Sequence, residues 1–219
     1  MKKIILSIFM ASAITSVIKA QSLFGPEAGL NLTNVKEKYD GASISGTTRP
    51  GFKIGIITDN YLGSNLYLQP GLFFSTKGTN ASQGTKIGIN YIEVPVNLLY
   101  KFKTNTGNYV FAGAGPYFAV AVGGQATANG YTAKINIGSS ETDDVKTFDF
   151  GLGFNAGYQL RQGLFFRGQY QFGLVNINPA HNTYGGGDAT VKNNGFSITV
   201  GWLFGDKGHP HKNKKPIKK

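Results

Sequence analysis

The hydrophobic pattern of the chain is a two-residue alternation, repeated in about eight runs from Gly25 onward. Near the end, Phe196, Ile198, Val200, Trp202 and Phe204 alternate with Ser197, Thr199, Gly201 and Leu203. Earlier, Phe148, Phe150, Leu152, Phe154, Ala156 and Tyr158 alternate with Asp149, Gly151, Gly153, Asn155 and Gly157. Successive side chains of a strand point to opposite faces, so each run predicts a strand with one apolar face and one polar or small face. Six further runs, at about 26–35, 49–58, 65–75, 89–101, 108–120 and 163–175, read the same way with more tolerance. Each is near the ~9–11 residues that a tilted strand needs to cross a bilayer. In the fifth of the eight runs both faces are apolar or Gly, and periodicity does not assign them. Pro70, Pro95 and Pro116 stand inside runs, where a residue without an N–H interrupts the ladder.

Two architectures alternate in this way: a soluble sandwich or lipocalin-like barrel, and a membrane barrel. They differ in polarity. A soluble fold turns its apolar face inward around a core. Here the non-apolar face carries Glu27, Lys53, Gln69, Glu93, Asp149, Arg167, Gln169 and Gln171. Charges of both signs recurring mid-strand cost several kcal/mol each if left unpaired in a soluble core, whereas in a polar barrel lumen they pair with one another. The connections alternate long and short: about 36–48, 59–64, 76–88, 102–107, 121–145, 159–162 and 176–193. Membrane barrels have short periplasmic turns and longer outer loops, and with both termini inside, the first, third, fifth and seventh connections are the outer ones. Those are the long ones. The expected fold is therefore all-β, an eight-stranded antiparallel up-and-down transmembrane barrel. In that register Lys53, Glu93, Asp149 and Arg167 form a lumenal charge network, and Phe148, Phe150, Phe154, Phe196, Trp202 and Phe204 face lipid.

The ends of the chain extend this picture. Lys2 and Lys3, an apolar run from Ile4 to about Ile14 and a polar stretch ending at Ala20 have the order of a secretory signal. Cleavage is expected before Gln21, although Ile18 is larger than the usual residue three positions before a cut. The run is too short for a spanning helix, which needs about 20 apolar residues. The domain boundaries follow: signal peptide 1–20, barrel 21–204, basic tail 205–219. The chain of 219 residues holds 31 Gly, 27 Phe plus Tyr and no Cys. The first two suit strands and turns, and the last excludes disulfides, thiolate metal sites and a lipid-modified cysteine.

The net charge of +11 would suit a nucleic-acid binder if it were spread over the fold. It is not: three lysines lie in the signal segment and six in residues 207–219, so residues 21–204 keep 13 basic and 10 acidic groups. No nucleic-acid partner is expected. The tail, with six lysines, two prolines and no aromatic residue, cannot bury enough apolar surface to fold alone. An even strand count places it in the periplasm, where it either contacts peptidoglycan or is an inert end. The other expected partners are outer-membrane lipid and lipopolysaccharide around the barrel, and a protein partner at the outer loops.

Candidate chemistry is sparse. His181, with Tyr184 and Asp188 nearby in the last long loop, provides the minimum for acid–base work, but no nucleophile setting accompanies it, and Gly185, Gly186 and Gly187 suit a mobile loop better. His209 and His211 are two ligands at most for a divalent metal. The Gly113–Gly115 and Gly151–Gly153 pairs lack the helix that a dinucleotide fingerprint requires. The expectation is no enzyme activity, no cofactor and no metal.

Five stretches carry a family resemblance: LQPGLFFSTKG at 68–78, YIEVPVNLLYKF at 91–102, AGAGPYF at 112–118, FDFGLGFNAGYQL at 148–160 and RGQYQFGLVNI at 167–177. In order and spacing, from about Leu23 to Phe204, they resemble the Bacteroidetes outer-membrane β-barrel "porin family" (outer membrane protein beta-barrel domain), which includes PorT-like proteins. The resemblance implies an outer-membrane location and a barrel, with Pro tolerated in the LQPG-like and EVP-like runs. Barrels of this kind end on an aromatic residue that aids insertion; Phe204 suits that role, although fifteen residues follow it. Three function classes stay open: a structural or interaction barrel with partner-binding outer loops, a narrow porin for small solutes, and a PorT-like accessory of protein secretion.

Overall fold

The computed structural model describes residues 22–39, 42–81, 84–140, 142–179 and 190–205. The expected signal segment, the tail beyond 205, His181, Tyr184, Gly185, Gly186, Gly187, Asp188, His209 and His211 lie outside the described residues. Ten strands form one antiparallel sheet: β1 (Ser22–Tyr39), β2 (Ala42–Ser45), β3 (Thr47–Gly63), β4 (Leu66–Asn80), β5 (Lys86–Lys103), β6 (Tyr109–Ala128), β7 (Tyr131–Lys134), β8 (Phe148–Gln159), β9 (Leu164–Gly173) and β10 (Thr190–Trp202). Eight of them are the barrel staves, in the order β1-β3-β4-β5-β6-β8-β9-β10. The last stave pairs with the first, from Glu27 opposite Gly201 to Lys38 opposite Thr190. This is a closed eight-stranded up-and-down barrel. β2 and β7 are short hairpin partners of β1 and β6 beyond the wall.

Residues 36–48, 76–88 and 121–145, read from the sequence as loops, thus contain strand, and of 76–88 only 81–85 remains a connection. The staves also outrun the expected runs: β1 continues to Tyr39, β4 to Asn80 and β6 to Ala128. The reason is physical. Alternation of apolar with polar residues is imposed only where the outer face meets lipid; beyond that band both faces are polar, as in Thr76–Asn80, and the periodic signal stops while the ladder goes on.

On the other side the turns are tight. β3 and β4 are joined by Ser64 (φ +49°) and Asn65 (φ +66°), the two left-handed residues of a hairpin whose twist matches the flanking strands. Residues 104–108 and 160–163 make the other two short connections. These three turns share one end; at the other, the β4–β5 turn, 81–85, is as short as 104–108, and the reach of that end comes from the extended strands and the β2 and β7 hairpins.

The prolines sit at gaps in the ladder. Pairing of β4 with β5 skips from Pro70 opposite Val96 to Phe73 opposite Glu93, and β5 with β6 skips from Pro95 opposite Tyr117 to Leu98 opposite Ala114. The skipped positions include Pro95 in the first case and Pro116 in the second, where a missing N–H has no ladder bond to lose. On β6 the ambiguous faces resolve: Phe111, Tyr117, Ala119 and Ala121 are buried, while Val110, Phe118, Val120 and Val122 are exposed.

The outer wall is apolar. Leu30, Phe52, Ile54, Ile56, Leu72, Leu98, Phe154, Phe166, Ile198 and Val200 all stand on it exposed. Aromatic rings gather at its two edges, Tyr100, Phe102, Trp202 and Phe204 toward the short turns and Phe52, Phe74, Phe118 and Phe150 toward the long loops. Such girdles mark the two interfaces of a membrane barrel. Phe148, Phe150, Phe154, Phe196 and Trp202 lie on this outer face, and Phe204 adds one bridge to the closure, its N–H donating to Phe24 O at 2.7 Å.

Glycine sets how close the inner side chains come to the wall. A Cβ on Gly157 would lie 2.3 Å from the Phe111 ring and 2.2 Å from Phe166 O, whereas one on Gly123 would meet nothing within 4 Å. Because the eight staves close on themselves and leave no edge within the wall, the folded barrel should resist detergent and run faster on a gel unheated than boiled. Gly157→Val should lower the temperature of that mobility shift, through overpacking of about 1–3 kcal/mol. Gly123→Ala should leave it unchanged.

Candidate functional site: the lumenal charge layer

Eight strands enclose a space just wide enough for side chains, and here side chains fill it. Among the described residues, the buried charged groups are Glu27, Asp59, Glu93, Asp149, Lys53, Lys77, Lys101 and Arg167, four acids and four bases. Their sources are the inward positions of β1, β3, β4, β5, β8 and β9.

Glu93, in the middle of β5, is fully buried and is the hub. Lys53 Nζ from β3 lies 3.0 Å from its Oε1, Lys77 Nζ from β4 lies 2.6 Å from its Oε2, and Gln171 Nε2 donates to Oε1 at 2.9 Å. Lys53 also donates to Gln169 Oε1 at 2.8 Å and stands 4.5 Å from the centre of the Phe73 ring. Lys77 Nζ lies 4.1 Å from the centre of the Tyr117 ring. Each cation thus has a carboxylate on one side and a π face on the other, two favourable contacts in a place of low dielectric.

Arg167 belongs to a second group. Its Nη2 donates to Gln69 Oε1 and lies 3.5 Å from Glu27 Oε2, while Thr199 Oγ1 donates to Glu27 Oε1 at 2.6 Å. Gln69 is the connector, since its Nε2 donates to Asp59 Oδ1 at 3.1 Å. Asp59 in turn is held by Lys101, whose Nζ is 2.6 Å from Oδ2 and also donates to Gln159 Oε1 at 2.8 Å.

Asp149 stands apart from the bases. Its Oδ2 accepts from Tyr117 OH at 3.2 Å and from Asn193 Nδ2 at 3.0 Å, and among the described residues no base lies within ion-pair distance. Of the four residues singled out in the sequence, the structure therefore brings Lys53 and Glu93 together, pairs Arg167 with Glu27, and gives Asp149 neutral partners. Lys77, Asp59 and Lys101 complete the layer and were not singled out. Each continues an inward parity, Ser75 to Lys77, Ile57 to Asp59 and Leu99 to Lys101; one more step of the alternation reaches Lys77 and Asp59, and Lys101 is the last residue of its run.

Two apolar clusters flank these groups. Leu23, Ile57, Phe73, Leu99, Phe111, Phe165 and Leu203 pack toward the short turns. Tyr91, Tyr117, Ile89, Ile135, Val145 and Ile177, with Ala119 and Ala121, pack toward the long loops. Among the described residues no group of three or more His, Asp or Glu is placed to hold a metal ion. What the arrangement does is neutralise itself, four buried acids against four buried bases. Glu93→Gln leaves Lys53 and Lys77 buried without a carboxylate and should cost about 3–5 kcal/mol in reversible urea unfolding from lipid bilayers. Asp149→Asn removes no ion pair, and should stay within about 1 kcal/mol of the parent. Equal losses for the two would show that pairing does not govern the layer.

A family profile described as "Outer membrane protein beta-barrel domain" matches residues 19–178. No curated protein matches the chain. Three solved barrels are similar. Neisserial surface protein A is 14% identical, with 83% of this chain and 97% of that one covered and a TM-score of 0.46. OprG from Pseudomonas aeruginosa is 15% identical, covering 86% and 98% with a TM-score of 0.47. Ail, the attachment invasion locus protein of Yersinia pestis, is 13% identical, covering 84% and 99% with a TM-score of 0.42. With an apolar outer wall between aromatic girdles, a closed sheet and a profile match over most of its length, the chain belongs to the outer membrane protein beta-barrel domain family and is a small barrel of the cell outer membrane.

Proposed function

We propose that the protein is a non-conducting, non-enzymatic outer-membrane barrel that acts as a structural and interaction protein, through the strands and loops carried beyond the membrane. The observation that carries this reading is the filled lumen: Tyr91, Tyr117, Phe73, Phe165, Ile89 and Leu99 are buried there with less than 2% of their surface exposed, around a charge layer that balances itself. A hydrated ion entering this space would have to displace packed side chains and part Glu93 from two lysines. The narrow-porin alternative would need a path that the packed side chains do not leave among the described residues. The acids are engaged by lysine, arginine, amide and phenol groups and do not face an open cleft, which supports a non-enzymatic role.

The outer extensions supply the interaction surface. The β6–β7 hairpin turns on Asn129 (φ +50°) and Gly130 (φ +82°) and presents Tyr131 with 85% of its surface exposed. An exposed aromatic side chain at a hairpin tip is the kind of residue that anchors a protein interface. Kinship with the PorT-like barrels of Bacteroidetes, and with it a service to secretion, draws support only from the LQPG and YIEVPV stretches and their spacing.

In planar lipid bilayers the purified full-length protein should produce no stable conductance steps, and reproducible steps would overturn the sealed-lumen reading. Replacing residues 125–134 by a two-residue Asn-Gly turn should preserve the heat-shifted mobility while abolishing cross-linked complexes on intact cells. Complexes that persist after this replacement would move the interaction surface elsewhere.

A further inference from the structure

Directly above the apolar wall on the long-loop side, two lysines face each other across the seam that closes the barrel. Lys36 on β1 is the register partner of Lys192 on β10. Like charges directly opposed on neighbouring strands destabilise a sheet, and among the described residues neither lysine has an ion-pair partner. Both line one groove on the outside of the barrel, with Tyr170, Phe172, Thr190 and Asn194. Below the groove the same wall is Leu32, Phe196, Ile198 and Val200, all exposed.

The position of this groove relative to the bilayer follows from the strand geometry. Outward positions on β10 are apolar from Trp202 up to Phe196; Asn194 and Lys192 come next. Four residues beyond Phe196 is about 13 Å along a strand, or about 10 Å along the normal at the usual tilt, the depth of a headgroup layer above an apolar band. A ligand held there meets two ammonium groups at the water side and aromatic and aliphatic surface below.

We infer that the Lys36–Lys192 seam is a binding site for a phosphorylated, multiply acylated lipid of the outer leaflet, with the chemistry of the lipid A part of lipopolysaccharide. Its phosphate lies between the two lysines and an acyl chain runs down Tyr170, Phe172 and Phe196. Lysine serves such a site as a point charge, and a shared phosphate converts the repulsion across the seam into attraction on both sides. The site ties a lipid to the one pair of staves that closes the barrel. It depends on the outward direction of the long loops and not on whether the lumen conducts.

The test is native mass spectrometry of the full-length protein, released from non-ionic detergent and titrated with bisphosphorylated lipid A, with the same lipid dephosphorylated, and with phosphatidylglycerol. Lipid A should bind most tightly, and Lys36→Gln with Lys192→Gln should weaken it about thirtyfold, on the order of fivefold for each lysine beside an anionic group. Lys36→Gln alone should show the smaller step, and serves as the readout if the double variant loses its heat-shifted mobility. Lys103→Gln with Arg161→Gln, exposed at the short-turn side, should bind as the parent does. Unweakened binding in the lysine variants, or equally tight binding of dephosphorylated lipid A or phosphatidylglycerol, would overturn the site.

Discussion

Backbone hydrogen bonding in lipid is the constraint on which the rest of this molecule depends. An unpaired N–H or C=O in hydrocarbon costs several kcal/mol, so a sheet that crosses a membrane can have no edge. β1 and β10 meet this demand along their shared length, and the bridge from Phe24 to Phe204 carries the seam toward the short-turn end. Once the sheet closes on eight staves its radius is set, and with it the volume inside. The contents of the lumen are then a packing problem of fixed size.

That problem is solved with charge as well as with apolar side chains. Burying an ion is costly, and a pair recovers the cost only with good geometry and further hydrogen bonds. Glu93 has two lysines and a glutamine, Asp59 has a lysine and a glutamine, and Glu27 has an arginine and a threonine. Each partner comes from a different stave, so the ionic contacts tie distant parts of the wall across the interior. Lys53 reaches from β3 to Glu93 on β5 and to Gln169 on β9. An apolar filling of the same volume could pack, but it would specify the relative heights of the staves less strictly, because an ion pair tolerates less sliding than a methyl contact. The inward glycines serve the same packing: Gly157 leaves room for the Phe111 ring and Gly151 for the Tyr117 ring.

The asymmetry between the two ends has a functional sense. At the short-turn end the chain reverses in as few as two residues, Ser64 and Asn65, and leaves little surface. At the other end β1, β5 and β6 run on past the lipid band and carry the β2 and β7 hairpins with them. Stiff ladders hold those outer residues at lower entropic cost than free loops would, which suits recognition of a partner or of the leaflet itself. In the proposed reading, a filled lumen and projecting strands belong together, with the barrel as their mount.

How much of this was legible beforehand depends on which force each feature answers to. Period-two alternation with charges on the inner face, and the long-short rhythm of the connections, specified a membrane barrel of eight staves, because lipid acts on every outward residue separately and so leaves its mark position by position. The inward direction of Lys53, Glu93, Asp149 and Arg167 was legible for the same reason. Which inward charge meets which was not. That is decided by the stagger of eight strands around a closed ring, a property of no single segment, and it sends Arg167 to Glu27 and Gln69, brings Lys77 to Glu93, and leaves Asp149 with Tyr117 and Asn193. The full length of the staves was likewise hidden, since beyond the lipid band only ladder pairing maintains them. Closure itself, and the meeting of Lys36 with Lys192 across it, joins two ends of the chain that only the tertiary structure brings together.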